Sequence, residues 1–314
     1  MDLIYGSLGL LILLLAGDAL VRGAVNLSLR LGVPALIVSL TIVSFGTSAP
    51  ELLISISAVL EGAPGIAMGN VVGSNTANVL LVLGIPAMLY GIDTASCDTK
   101  RSYVFMMAAT VWFIALAFFG PLFWVHGLLL LGLLAGIFVD QGFEARAHIR
   151  ANANADVEDV EGADPEMPGW RIATYLALGL IGLPVGAHLL VQSAVSIATA
   201  MGVSATVIGL TLVAVGTSLP ELATTLVAAY RRQAEVALGN VIGSNMFNLL
   251  AIIGVATFFG EIPVEASFLR FDFWVMLAAS VVLVPFVLFC KNMTRAFGGG
   301  LTALYVVYVL YVLN

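Results

Sequence analysis

The sequence predicts an all-α membrane protein: ten transmembrane helices in two inverted five-helix repeats, with broken helices near the midplane. Three observations carry this. The 314 residues are 61% hydrophobic and 10% charged, against about 25% charged for an average soluble domain. Ten mainly apolar stretches of spanning length follow one another: 3–29, 34–60, 65–90, 101–120, 122–142, 170–200, 204–229, 235–259, 270–290 and 297–313. Residues 16–84 align without a gap to 186–254, with 27 identities in 69 positions at an offset of 170.

The identities fall on polar and small residues, which chance likeness between apolar helices does not produce. Thr-Ser-Ala-Pro-Glu at 47–51 returns as Thr-Ser-Leu-Pro-Glu at 217–221, and Gly-Asn-Val-Val-Gly-Ser-Asn at 69–75 returns as Gly-Asn-Val-Ile-Gly-Ser-Asn at 239–245. A unit of five spans is odd, so a second copy enters the membrane from the opposite side. Residues 1–142 and 170–314 are the two repeats. Between them, 143–169 is polar and acidic and reads as a solvated linker.

Lysine and arginine in short loops set the orientation. With the N-terminus outside, Arg30, Lys100, Arg101, Arg146, Arg150, Arg171, Arg231, Arg232, Lys291 and Arg295 are cytoplasmic, and Arg270 alone is outside. Both termini are therefore expected outside a cell (inner) membrane, with the linker cytoplasmic. The N-terminus lacks the basic region of a signal peptide, so the first stretch reads as a retained span. Twelve Lys and Arg against nineteen Asp and Glu give −7, without a basic patch, which excludes nucleic acid as a partner. Cys97 and Cys290 have no metal-ligand spacing. The expected partners are ions and the lipid bilayer; no cofactor or protein partner is implied.

Glu51 and Glu221 are the most informative positions. Each lies near the middle of an apolar stretch, where a carboxylate costs at least ~2.5 kcal/mol. No Lys or Arg lies at similar depth in the repeated core spans, so a bound cation is the leading counter-charge; a protonated Glu held by helix–helix hydrogen bonds is the alternative. Thr47 and Ser48 precede Glu51 by four and three residues, as Thr217 and Ser218 precede Glu221, which places each trio on one helix face. Pro50 and Pro220 offer no N–H to the carbonyls of Gly46 and Gly216, so an interrupted helix lining a cavity is expected there. Carbonyls, hydroxyls and a carboxylate make an all-oxygen set suited to hard cations such as Ca²⁺.

The following span carries a second polar stripe. Asn70, Ser74 and Asn78 are spaced by four, as are Asn240, Ser244 and Asn248. Asn70, Asn75, Asn240 and Asn245 are read as ties between broken helices. Ser74, Asn78, Ser244 and Asn248 are read as residues of the ion path. Asp18 and His188 are equivalent under the offset of 170, and either line access paths, sense protons or make local polar contacts. His126 and His148 read as loop residues.

On these paired motifs the chain resembles the sodium/calcium exchanger family within the cation/calcium antiporter superfamily, in its minimal prokaryotic form. The resemblance implies a central cluster of one calcium site and several sodium sites. By position it implies Glu51 and Glu221 as calcium ligands, with carbonyls near Ser44 and Ala214. It implies Thr47, Ser48, Thr217, Ser218, Ser74, Ser244, Asn78 and Asn248 as the remaining sodium ligands. It further implies alternating access by the long first and sixth spans, and three sodium ions moved per calcium. One position departs: some members carry Asp where this chain has Asn248.

The function expected is secondary active sodium/calcium antiport, electrogenic, with calcium/proton or other cation/proton exchange as the alternative on the same fold. A passive channel is disfavoured by the inverted duplication. An intramembrane hydrolase is disfavoured because no His partners the Thr-Ser-x-Pro-Glu motif within a repeat, so no enzyme is expected.

Overall fold

A computed structural model describes residues 2–95, 97–151, 164, 166–201 and 214–313. Among the described residues the regular structure is helical, and two isolated bridges, Ile92 with Met293 and Leu122 with Ile262, join connecting segments. In chain order the helices are α1 (Asp2–Leu31), α2 (Ala35–Thr47), α3 (Ala49–Leu60), α4 (Pro64–Tyr90), α5 (Lys100–Ala117) and α6 (Trp124–Ala151). The second half follows as α7 (Gly169–Ala200), α8 (Ala214–Thr217), α9 (Leu219–Tyr230), α10 (Ala234–Ala256), α11 (Phe268–Val287) and α12 (Arg295–Leu313).

Seven of these helices are long and apolar enough to cross a membrane, and the bent pair α2–α3 makes an eighth. Helix also fills 100–117 and, past residues 202–213 that lie outside the described set, 214–230. The interior belongs to α4 and α10, whose apolar windows are 83% and 94% buried, against 22% for α6 and α7. Side chains from both halves form one core around them, with Phe113 edge-on to Phe273 and the Tyr103 hydroxyl donating to the Ser280 carbonyl at 2.9 Å.

The longest helices, α1 and α7, lie against each other along a glycine seam. A Cβ on Gly9 would come within 2.8 Å of the Gly186 carbonyl oxygen, and one on Gly179 within 2.8 Å of the Leu20 Cα. Small residues permit that backbone approach. A polar tie holds one end of the pair, and a second joins α1 to the segment that precedes α7. The Ser196 hydroxyl donates to Asp2 Oδ2 at 2.8 Å, and at the other end Asn26 Oδ1 accepts the Asp164 N–H at 2.8 Å.

Two expectations need adjustment, and of the readings left open for Asp18 the structure shows the local polar contact. α6 continues through 143–151, because Glu, Ala and Arg there are good helix formers despite their polarity. The rest of the acidic segment, 152–163 and 165, lies outside the described residues. His126 and His148 are helical, not loop: His126 Nδ1 accepts the Phe123 N–H at 3.2 Å, and His148 Nδ1 lies 3.2 Å from the Gly32 carbonyl oxygen. Asp18 is an ion-pair partner of Arg22, at 2.9 Å, and of Arg231, and not of the residues of the polar centre.

Candidate functional site

The centre is built from two matching breaks. α2 stops at Thr47 and α3 starts at Ala49, with a 44° bend between them. Ser48, at φ −86° and ψ 3°, is the hinge, and Ser218 repeats it at φ −89° and ψ 7°. Pro50 and Pro220 each fall in the first turn after the break, where a missing N–H does no harm. Thr47, Ser48 and Glu51 therefore converge around a bend and do not share one straight helix face. The break also places Glu51 and Glu221 in the first turns of α3 and α9, where the helix dipole favours a carboxylate.

Asparagines hold the breaks in place. Asn70 Nδ2 donates to the Glu51 carbonyl at 3.3 Å and to Ser55 Oγ at 3.1 Å. Asn240 Nδ2 makes the same pair of bonds, to the Glu221 carbonyl at 3.2 Å and Thr225 Oγ1 at 3.0 Å. Asn75 and Asn245 bond each other's backbone carbonyls reciprocally, at 3.2 and 3.4 Å. A contact in which i meets j and j meets i is what a two-fold relation produces. Asn78 Nδ2 adds a bond to Asn245 Oδ1 at 3.0 Å.

The two motifs meet in one place. Ser48 Oγ donates to Glu221 Oε1 at 3.2 Å, and Thr47 Oγ1 donates to Asn240 Oδ1 at 3.3 Å. Glu51, Glu221, Asn78 and Asn248 are each 1% exposed and Ser244 is fully buried. Several of their polar atoms have no hydrogen-bond partner: Oε2 of Glu51 and Glu221, Oδ1 of Asn78 and Asn248, and the hydroxyls of Ser218 and Ser244. Buried polar atoms are normally paired. An ionised carboxylate only accepts, and among the described residues no basic side chain pairs with these two. Six such oxygens, two of them from carboxylates, lie on four polypeptide segments, and oxygens of this kind are what a hard cation takes as ligands. Among the described residues no group of three or more His, Cys, Asp or Glu offers a softer site.

The remaining predicted residues divide. Ser74 is buried on α4 one turn before Asn78, and Thr217 is part-buried beside Ser218. Ser44 is scaffold in this conformation. Its hydroxyl donates to the Ser39 carbonyl at 2.8 Å and the Asn240 carbonyl at 3.1 Å, while its own carbonyl accepts the Ser48 N–H at 3.0 Å and Thr47 Oγ1 at 3.3 Å. Ala214 begins α8, and its side chain lies outside the described residues. A cavity of about 1170 Å³, lined by Tyr90, Asp93, Arg231, Glu235 and Arg295 among others, contains none of the predicted ligands.

Several contributors were not foreseen. Ser55 and Thr225 receive the asparagine amides; both are one turn past a Glu, which was the available signal. π-helical turns run over Asn78–Val82 and Phe247–Ile252, and such turns gather at functional sites. Each carries the last Asn of its stripe.

Known proteins are similar to this chain over most of its length. The family described as sodium/calcium exchanger protein matches residues 3–140 and 172–314. A putative antiporter, CaxA of Alkalimonas amylolytica, is 36% identical over 281 residues, covering 90% of this chain and 88% of its own. The sodium/calcium exchanger MaX1 of Methanosarcina acetivorans is 33% identical over 335 residues, covering 96% of each chain. A solved structure of the sodium-calcium exchanger NCX_Mj superposes with a TM-score of 0.82 at 31% identity, over 99% of this chain and 98% of that one. The chain is an integral membrane protein and belongs to the sodium/calcium exchanger family.

Proposed function

We propose that this protein exchanges sodium for calcium by alternating access, with Glu51 and Glu221 neutralising one Ca²⁺ at the meeting point of two inverted five-helix repeats, 1–142 and 170–314. The observation that carries it is that the two motifs meet through the Ser48–Glu221 bond and hold two buried carboxylates and four neutral oxygens that lack hydrogen-bond partners. Ten spans place both termini outside a cell (inner) membrane and the 143–169 segment in the cytoplasm. The ligand set comprises Glu51, Glu221, Thr47, Ser48, Thr217, Ser218, Ser74, Ser244, Asn78 and Asn248, with backbone carbonyls near Ser44 and Ala214 joining when the helix breaks rearrange. The names of the relatives and the superposition on an exchanger support the choice of ions. The test is ⁴⁵Ca uptake into proteoliposomes loaded with Na⁺, with K⁺ or with a proton gradient. Uptake driven by sodium alone supports the proposal; uptake driven by protons assigns calcium/proton exchange instead.

Asn248 sets the charge of the site. Two carboxylates make the empty site −2, the calcium form neutral and a three-sodium form +1. Asn248→Asp adds a third charge, making the three-sodium form neutral and the calcium form −1. A desolvated site favours neutrality. Asn248 Oδ1 is buried without a hydrogen-bond partner, which fits a residue facing the ions. Asn248→Asp is expected to raise sodium affinity relative to calcium by about tenfold, a difference of ~1.4 kcal/mol. Alternatively the new Asp protonates with calcium bound and adds pH dependence. Titrating both affinities from about pH 6 to 9, across the range where a raised carboxylate pKa shows, checks it; neither change would make Asn248 scaffold.

A further inference from the structure

The two halves repeat in sequence, yet the structure is asymmetric in how α1 and α7 meet the centre. α1 packs along α9, covering Ala223 and Val227, which are 6% and 7% exposed. The equivalent face of α3 has no such cover: Leu53 is 67% exposed and Ser57 is exposed. The centre shows the same asymmetry. Ser48 bonds Glu221, while the hydroxyl of Ser218, its counterpart, has no partner.

An ion pair accompanies the covered side. Asp18 of α1 pairs with Arg231 in the turn after α9, and Arg22 braces the same carboxylate. Under the offset of 170, Asp18 corresponds to His188 of α7 and Arg231 to Glu61 in the turn after α3. Both positions have exchanged acid for base or base for acid, and the counterpart pair can again bond: an imidazole on the long helix, a carboxylate on the turn. No ion pair joins Glu61 and His188 in this structure, and both are exposed.

We propose that Asp18–Arg231 and Glu61–His188 are reciprocal latches, one holding α1 on α9 in the state seen here, the other holding α7 on α3 in the opposite state. An imidazole donates an N–H to a carboxylate whether or not it is charged, so the second latch closes in either protonation state. The proposal rests on the alternating-access reading above. It adds which contacts close each state.

The test uses the full chain with Cys97 and Cys290 replaced by Ser, reconstituted in proteoliposomes. Asp18→Cys with Arg231→Cys, and Glu61→Cys with His188→Cys, are probed with a short bifunctional methanethiosulfonate during sodium-driven ⁴⁵Ca uptake. Both pairs are expected to cross-link, and each cross-link to arrest exchange until reduced. Adding Asp18→Asn to the second pair is expected to raise its cross-linked fraction about two- to fivefold, the size of a part-exposed ion pair. If exchange proceeds while the 61–188 pair stays unlinked, or if its yield ignores Asp18→Asn, the latches are wrong and the exchanger reading stands. If the cysteine-free chain takes up no calcium under any cation gradient, the exchanger reading falls and the latches fall with it.

Discussion

Replacing Glu51 or Glu221 by Gln is expected to cut sodium-driven calcium uptake at least ~100-fold while the protein stays folded. Both carboxylates are 1% exposed, and each has an oxygen that no protein donor reaches. Removing one leaves a doubly charged ion with a single counter-charge in a site shut off from water. Breaking a buried charge pair this way costs about 3–5 kcal/mol, and each 1.4 kcal/mol is about tenfold. Gln keeps the side-chain shape, so packing survives. The ion-free protein also loses a like-charge repulsion, so its thermal midpoint in detergent should hold or rise. The measurement is ⁴⁵Ca uptake beside a thermal melt with and without calcium. Uptake near the parent level, or a melt still raised by calcium, would remove these residues from the site.

The second large effect is electrical. At the stoichiometry the family resemblance implies, three sodium ions against one calcium would move one net charge per cycle, worth ~2.3 kcal/mol per 100 mV. The calcium ratio across the membrane at equilibrium should therefore shift about 50-fold for every 100 mV. The sign follows from the charge moved. When calcium enters a sodium-loaded vesicle, three positive charges leave and two arrive. An inside-positive potential set with valinomycin and external K⁺ must accelerate uptake, and an inside-negative one must slow it. Uptake insensitive to that potential would mean electroneutral exchange.

Much of the centre was legible because polar residues in apolar helices have few reasons to be there. The Pro50 and Pro220 breaks could be read from a missing N–H, and the asparagine ties from a stripe repeating every four residues. The π turns could not. Pro86 follows the first, but its counterpart at the second is Ala256, so no shared residue type marks them. Asp18 was visible as an ionisable group in an apolar helix, but its partner Arg231 lies 213 residues away, and one sequence holds no record of that proximity. The extension of α6 to Ala151 was hidden by composition: charged residues of high helix propensity look like a solvated linker until the chain is seen to continue.

The reciprocal bond between Asn75 and Asn245 has a bearing on direction. Inverting the two halves maps this contact onto itself, whereas Asp18–Arg231 is carried to a different place. A self-mapped contact has the same energy on either side of the cycle. Under the proposed alternating access it would serve as a pivot and would not tilt the balance between inward and outward forms. Damage there would then lower forward and reverse exchange by one common factor. Directional preference has to reside in the contacts that inversion changes, and the substitutions separating the two repeats are where it is written.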